Sequence, residues 1–194
     1  MEIILGSQSP RRRELMAGLG LPFVAIAIDA DESYPSCLTE GDIPAFIAEQ
    51  KARAYASKLH PNQLLITADT IVWADGQMLG KPHSEQEAFE MLRSLSGKTH
   101  QVYTAVTFIK RMSDAPTFYL KTLVDRTDVT FKELTDSEIQ YYISHYHPMD
   151  KAGAYGVQEW IGYIACTAMH GSYFNVMGFP THRVYEQLKK LQLL

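Results

Sequence analysis

Residues 64–79 read Leu64-Leu65-Ile66-Thr67-Ala68-Asp69-Thr70-Ile71-Val72-Trp73-Ala74-Asp75-Gly76-Gln77-Met78-Leu79. The apolar run Leu64 to Ala68 predicts a buried strand. Ile71 to Ala74 and Gln77 to Leu79 flank Asp75-Gly76, a dipeptide that accepts two positive φ angles and so closes a two-residue hairpin. Asp69-Thr70 falls between the strand and the hairpin, which puts a carboxylate at the end of an apolar strand.

Downstream, Ser84 with Glu87 has the spacing of a capping box, and the helix it opens through Phe89, Met91, Leu92 and Leu95 stops at Ser96-Gly97. Gln101 to Lys110 and Thr117 to Phe131 are rich in Val, Thr, Tyr and Phe, and the polar break Arg111 to Pro116 makes them a long antiparallel pair. Thr135 with Glu138 opens a second capped helix to about His145, and a last helix runs from Thr181 to Leu193 with Val184, Leu188 and Leu191 on one face. Upstream, Ile3 to Leu5 is a short strand, and Ser9-Pro10 opens a helix that reaches Gly18 or Gly20. Phe23 to Ile28 is another apolar run, ending in the acidic cluster Asp29, Asp31 and Glu32. Ile43 to Leu59 is an amphipathic helix with Ile43, Phe46, Ile47 and Ala54 at helical spacing, which leaves Glu49, Lys51, Arg53 and Lys58 to other faces. Helices alternating with strands around a long hairpin predict an α/β fold with a long central mixed sheet flanked by helices. At 194 residues the chain is one domain, 1–194, with neither repeat nor linker.

Hydrophobic residues make up 46% and charged residues 21%, which excludes a disordered or low-complexity chain. A net charge of −4 excludes general coating of nucleic acid or anionic membrane, so any polyanion site is local and no stable nucleic-acid partner is expected. Cys37 and Cys166 match no CxxC pattern, which fits ordinary buried or half-buried thiols in a reducing cytosol. The apolar start Ile3-Ile4-Leu5-Gly6 is too short for a signal peptide, and the chain is read as cytoplasmic. The charge-free stretch Ile161 to His182 is interrupted by His170, Asn175 and Pro180, so it is not expected to span a membrane.

Three segments carry chemistry. Gly6-Ser7-Gln8-Ser9-Pro10-Arg11-Arg12-Arg13 combines a helix start, hydroxyls and guanidinium forks, which suits a phosphate as well as it suits an ordinary capped helix. Asp69 stands with cations and carboxylates from separate segments, Lys51, Gly80-Lys81-Pro82 and Glu32, and a metal-bound polyphosphate needs both signs. No His or Cys spacing fits zinc. Met149-Asp150-Lys151-Ala152-Gly153-Ala154-Tyr155-Gly156-Val157-Gln158 has small residues that allow close backbone approach and an amide with donor and acceptor for a base edge. A tight loop whose tyrosine fills the core fits the same residues. Walker, GxGxxG and GxSxG patterns are absent, which leaves P-loop, Rossmann and α/β-hydrolase readings without a motif.

Six motifs in order, Ser7-Gln8-Ser9-Pro10-Arg11-Arg12, Ala68-Asp69-Thr70, Gly80-Lys81-Pro82, Leu95-Ser96-Gly97 with Val102-Tyr103-Thr104, Asp150 to Gln158, and Asn175-Val176-Met177-Gly178-Phe179-Pro180, resemble the Maf family of nucleoside triphosphate pyrophosphatases along essentially the whole chain. The resemblance implies two lobes with a cleft, as in the inosine triphosphate pyrophosphatases, and hydrolysis of a nucleoside triphosphate to the monophosphate and pyrophosphate. It implies Asp69 as proton acceptor, and the cations Lys51 and Lys81 would join it in catalysis by stabilising charge on the departing pyrophosphate. Arg11, Thr70 and Gln158 would select the base in the dTTP/UTP pattern, where the 7-methyl-GTP subfamily carries a bulky aromatic, a Gln and a Glu. Ser7, Arg11, Arg12, Lys51 and Lys81 would bind phosphate, and Glu32 with Asp69 would hold Mg²⁺ or Mn²⁺. House-cleaning of non-standard pyrimidine nucleotides is the expected role, with a homodimer the expected assembly. The alternatives are a nucleotide-binding regulator of cell division and septum formation, and an enzyme for inosine or xanthosine triphosphate. Phe179 stands where a smaller apolar residue is usual before the proline, and a packing change is expected there.

Overall fold

Residues 1–112 and 117–193 are described by the computed structural model. Seven strands join in one sheet, β1 (Glu2–Gly6), β2 (Phe23–Ile26), β3 (Gln63–Ala74), β4 (Gln77–Leu79), β5 (Thr99–Arg111), β6 (Phe118–Phe131) and β7 (Cys166–His170), in the order β2-β1-β3-β5-β6-β7 with β4 also on β3. The helices are α1 (Pro10–Ala17), α2 (Asp42–Ala56), α3 (Glu85–Leu95), α4 (Asp136–Tyr146), α5 (Trp160–Ala165), α6 (Tyr173–Val176) and α7 (Thr181–Lys190). β1 is parallel to both neighbours, with Ile4 opposite Val24 and Leu65. β4 and β7 are antiparallel to β3 and β6. Thr99 faces Thr130 at 2.8 Å between hydroxyls and Thr107 faces Thr122 at 3.0 Å, so β5 and β6 are antiparallel too. This is the α/β fold with a mixed, helix-flanked sheet that the alternation of patterns implies. Asp75 and Gly76 have φ of 50° and 79°, the pair of left-handed residues that a two-residue hairpin requires.

The chain divides into two compact units, Met1–Asp69 with Thr104–Asp125 and Gly178–Leu194, and Thr70–Tyr103 with Arg126–Met177. In the first unit Ile4, Leu65, Ala52, Leu59 and Ile109 form a core between sheet and α2. In the second, α3, α4 and the end of β3 enclose a larger core that includes Leu92, Phe131, Tyr142 and Ile161. α3 and α4 start where the capping spacings place them. Thr135 and Glu138 make the full reciprocal box, whereas Ser84 caps the Glu87 N–H while the Glu87 carboxylate accepts from His83 N, one residue outside the expected partner.

Several expectations change. β3 runs unbroken through Asp69 and Thr70, so Asp69 is interior to a twelve-residue strand and is not at a strand end. The strand pairs with β1 through Thr67 and with β4 from Val72, and Asp69 and Thr70 lie between those two pairings. The buried face of α2 is Ile43, Ile47, Ala48 and Ala52, with Phe46 half-buried and Ala54 exposed. α7 ends at Lys190 and leaves Leu191 half-buried. Cys37 is exposed, and Cys166 is half-buried as expected. α5 and β7 were not foreseen, because Gly162 interrupts the helical pattern and β7 is only five residues long. The polar break at 111–116 falls mostly on residues 113–116, outside the described residues. Phe179 is fully buried, which makes it part of the packing. Among the described residues no helix is long and apolar enough to cross a membrane.

Candidate active site

Lys51 lies four residues after Ile47 and so shares the inward face of α2. Its ammonium sits 2.8 Å from Asp69 Oδ1 and 2.8 Å from Glu32 Oε1. The Lys51 and Asp69 side chains are each 13% exposed, and Glu32 is 53% exposed, so the pair is sheltered on one side and open through Glu32. Sheltering matters because an ion pair held away from water is screened far less than one on the surface. The strand fixes the Asp69 backbone and the helix fixes Lys51, which leaves the carboxylate little freedom to turn.

At the start of α1 the Ser9 hydroxyl accepts from Arg12 N, Pro10 occupies the first turn, and the Ser7 hydroxyl accepts from Ser9 N at 3.2 Å. Ser7 is 7% exposed. The half-buried Arg12 turns its guanidinium inward, with Nε donating to the Gly178 carbonyl and Nη1 to the Ala68 carbonyl, both at 2.8 Å. Desolvation lowers the Arg12 pKa, and the negative field of Asp69 opposes that shift. Arg12 therefore ties α1 to the residue immediately before Asp69. Arg11 is half-buried beside it. Ser7, Arg11, Arg12, Glu32, Lys51 and Asp69 all belong to the first unit.

Thr70, Lys81 and Gln158 belong to the second unit, with Thr70 and Gln158 half-buried and Lys81 exposed. The segment before Gln158 folds as two short 3₁₀ turns, Pro148–Asp150 and Ala152–Ala154. Gly153 has φ of 66°, its N–H donates to the Gly80 carbonyl, and a Cβ there would lie 2.8 Å from Val72 Cγ2, so the Gly-Lys-Pro segment and this loop are locked together. Tyr155 is 6% exposed and its hydroxyl is 2.8 Å from Nε2 of the fully buried His100, so the tyrosine does fill the core. Burial lowers the His100 pKa to about 4 and raises that of Tyr155.

Beside Gln158 the structure brings together Tyr142 and Glu159, which the sequence did not single out, and Lys151, which it named only as part of the 149–158 segment. Lys151, only 7% exposed, pairs with Asp150 at 2.7 Å and with Glu159 at 3.2 Å, and Glu159 also accepts from the Tyr142 hydroxyl. Tyr142 had a signal, since it is one helical step from Ile139 on the apolar face of α4. Lys151 lies in the 149–158 segment, and Glu159, one residue past it, had no signal beyond its charge.

For a divalent cation the relevant observation is that Glu32 Oε1 and Asp69 Oδ1 both lie 2.8 Å from Lys51 Nζ, so two carboxylates stand close together beside that ammonium. That donor set suits Mg²⁺, which takes one or two carboxylates and completes its shell with substrate phosphates and water. Among the described residues no group of three or more His, Cys, Asp or Glu is assembled for a metal.

The model of the family described as Maf-like protein matches residues 2–191. The chain belongs to the Maf family. Relatives in that family named dTTP/UTP pyrophosphatase include one from Bacteroides thetaiotaomicron, 53% identical over 98% of this chain and 96% of its own length. One from Phocaeicola vulgatus is 51% identical over the same shares, and one from Flavobacterium johnsoniae is 48% identical over 98% of this chain and 95% of its own. The solved structure of the Staphylococcus aureus Ham1 protein aligns with this Maf chain at a TM-score of 0.47 and 15% identity, over 70% of this chain and 73% of that one.

Several Maf motifs in this chain have structural duties. Ser96 Oγ accepts from Leu134 N, and Gly97 takes φ of 71°. The buried Asn175 amide donates to the Val102 carbonyl and to Thr127 Oγ1.

Proposed function

We propose that this chain is a dTTP/UTP pyrophosphatase, hydrolysing the nucleoside triphosphate with one water to the monophosphate and pyrophosphate, and so removing non-standard pyrimidine nucleotides as well. What carries the reading is agreement at about half of all positions, over nearly full length, with relatives named for that activity. The Lys51–Asp69 pair supplies a local rationale for the chemistry.

In this reading water attacks the α-phosphorus, Asp69 accepts its proton, and the bond from the α-phosphorus to the bridging oxygen of pyrophosphate breaks. Lys51 orients the Asp69 carboxylate and, with Lys81, neutralises charge on the departing pyrophosphate. Ser7 and Arg11 bind phosphate oxygens. Arg12 adds positive potential while its Nε and Nη1 hold the Gly178 and Ala68 carbonyls. Glu32 and Asp69 would hold Mg²⁺ or Mn²⁺, which when bound neutralises phosphate charge. Arg11, Thr70 and Gln158 choose the base, the Gln158 amide reading donor and acceptor groups on the edge of uracil or thymine.

The test is pyrophosphate release from dTTP, UTP, CTP, ITP, XTP, GTP and 7-methyl-GTP, each with and without Mg²⁺ or Mn²⁺. Metal-dependent release concentrated on dTTP and UTP supports the reading, and release confined to the purine nucleotides contradicts it.

A further inference from the structure

The residues concerned all lie in the second unit, and the inference deepens the proposed function, resting on Gln158 as a base-selecting residue. Tyr142, fully buried on α4, uses one hydroxyl twice. It accepts the Gly156 N–H at 3.0 Å and donates to Glu159 Oε2. That single oxygen therefore grips the backbone two residues before Gln158 and the side chain one residue after it. The other Glu159 oxygen is 3.2 Å from Lys151 Nζ, which carries the grip back to the start of the loop.

Two glycines make the arrangement tight. A Cβ on Gly156 would lie 2.9 Å from Glu159 Cδ and 3.1 Å from Lys151 Cε, so a side chain there would push against the Lys151–Glu159 pair that closes over the loop. A Cβ on Gly162 would lie 1.8 Å from the Val157 carbonyl oxygen, so the first turn of α5 presses directly on the residue preceding Gln158. The neighbours of Gln158 are thus held by backbone contact on one side and by a charged, hydrogen-bonded side chain on the other. Gln158 itself is half-buried. Burial and the Glu159 contact raise the Tyr142 pKa, so the phenol stays protonated and keeps donating.

A buried ammonium and phenol with a half-buried carboxylate are a poor way to gain stability, because desolvation consumes much of what their contacts return. They do fix geometry, since each partner has a direction as well as a distance. We propose that Tyr142, Glu159 and Lys151 are positioning residues that set the Gln158 carboxamide for recognition of the pyrimidine edge.

The experiment measures kcat and KM for UTP and GTP with the full-length chain and its variants Q158A, Y142F, E159Q and Y142F/Q158A, with melting temperatures alongside. Q158A is expected to lower the UTP-to-GTP ratio of kcat/KM. Y142F should lower the same ratio about tenfold, the loss of an oriented contact, chiefly through KM for UTP, and should add less than about twofold to Q158A. E159Q, which removes the charge paired with Lys151, should shift the ratio in the same direction and serves as the test should Y142F fold poorly. A loss equal for both nucleotides, or a Y142F effect just as large in the Q158A background, overturns the positioning role. If Q158A alone leaves the ratio unchanged, the base-selecting reading of Gln158 falls and the positioning role falls with it. Failure of the reading thus shows in Q158A, and failure of the positioning role shows in Y142F while Q158A keeps its effect.

Discussion

Lys51 Nζ and Asp69 Oδ1 are 2.8 Å apart, and the same ammonium is 2.8 Å from Glu32 Oε1. A carboxylate fixed in a continuous strand and held by a helix-borne cation is oriented before any substrate arrives. Asp69→Asn keeps the shape and removes the proposed proton acceptor, so turnover should fall by about 10² to 10⁴ while nucleotide binding persists. Single-turnover kinetics with parallel binding isotherms check this, and a near-normal rate would remove Asp69 from the role.

Arg12 and Arg11 should separate cleanly. Arg12→Ala leaves the carbonyls of Ala68 and Gly178 without the donors they now have, at a cost of about 2–4 kcal/mol in unfolding free energy. Arg11→Ala should leave urea denaturation within about 1 kcal/mol of the parent and act on the dTTP and UTP kinetics. Equal destabilisation by both substitutions would contradict the structural role given to Arg12 alone.

The contrast between those arginines shows what a sequence can carry. Capping pairs, the Asp75-Gly76 turn and the apolar runs are local, so α3, α4 and the β3–β4 hairpin were legible from neighbouring residues. The continuity of β3 through Asp69 was not, because a polar pair inside an apolar run looks like a break until it is known that the strand exchanges β1 for β4 around that point. Lys51 was legible as a cation but not as an inward one, because the apolar pattern assigns it to another face of α2, whereas its side chain is only 13% exposed and meets two carboxylates. Its two carboxylate partners come from positions 19 residues before and 18 residues after it, and only tertiary structure brings them together. The same holds for Tyr142 and Glu159, which share a contact across 17 residues.

His100 predicts a pH dependence of stability. Its pKa falls from an ordinary 6.5 to about 4 because burial penalises the imidazolium. Between those values the unfolded chain binds more protons than the folded one, so stability rises with pH across the window. The contribution is complete above about pH 6.5, is lost as pH falls toward 4, and amounts to about 3 kcal/mol. His100→Gln cannot titrate. The difference in unfolding free energy between parent and variant should therefore change with that sign and size between pH 6.5 and 4, and a constant difference would contradict it.

Gly162→Ala should fail to give soluble folded protein, since its methyl would meet the Val157 carbonyl at 1.8 Å and neither backbone can retreat without dismantling α5. Gly76→Ala, with open space around the added Cβ and only its φ of 79° to strain it, should cost about 1 kcal/mol. Soluble yield of the two variants, with circular dichroism of the soluble fraction, checks the ranking, and a well-folded Gly162→Ala in normal yield would contradict it.

In the proposed mechanism water, activated at Asp69, attacks the α-phosphorus. Hydrolysis of UTP in ¹⁸O-enriched water, with both products weighed by mass spectrometry, tests it most directly. One ¹⁸O is expected in the uridine monophosphate and none in the pyrophosphate. Label in the pyrophosphate, or release of orthophosphate in its place, would contradict it.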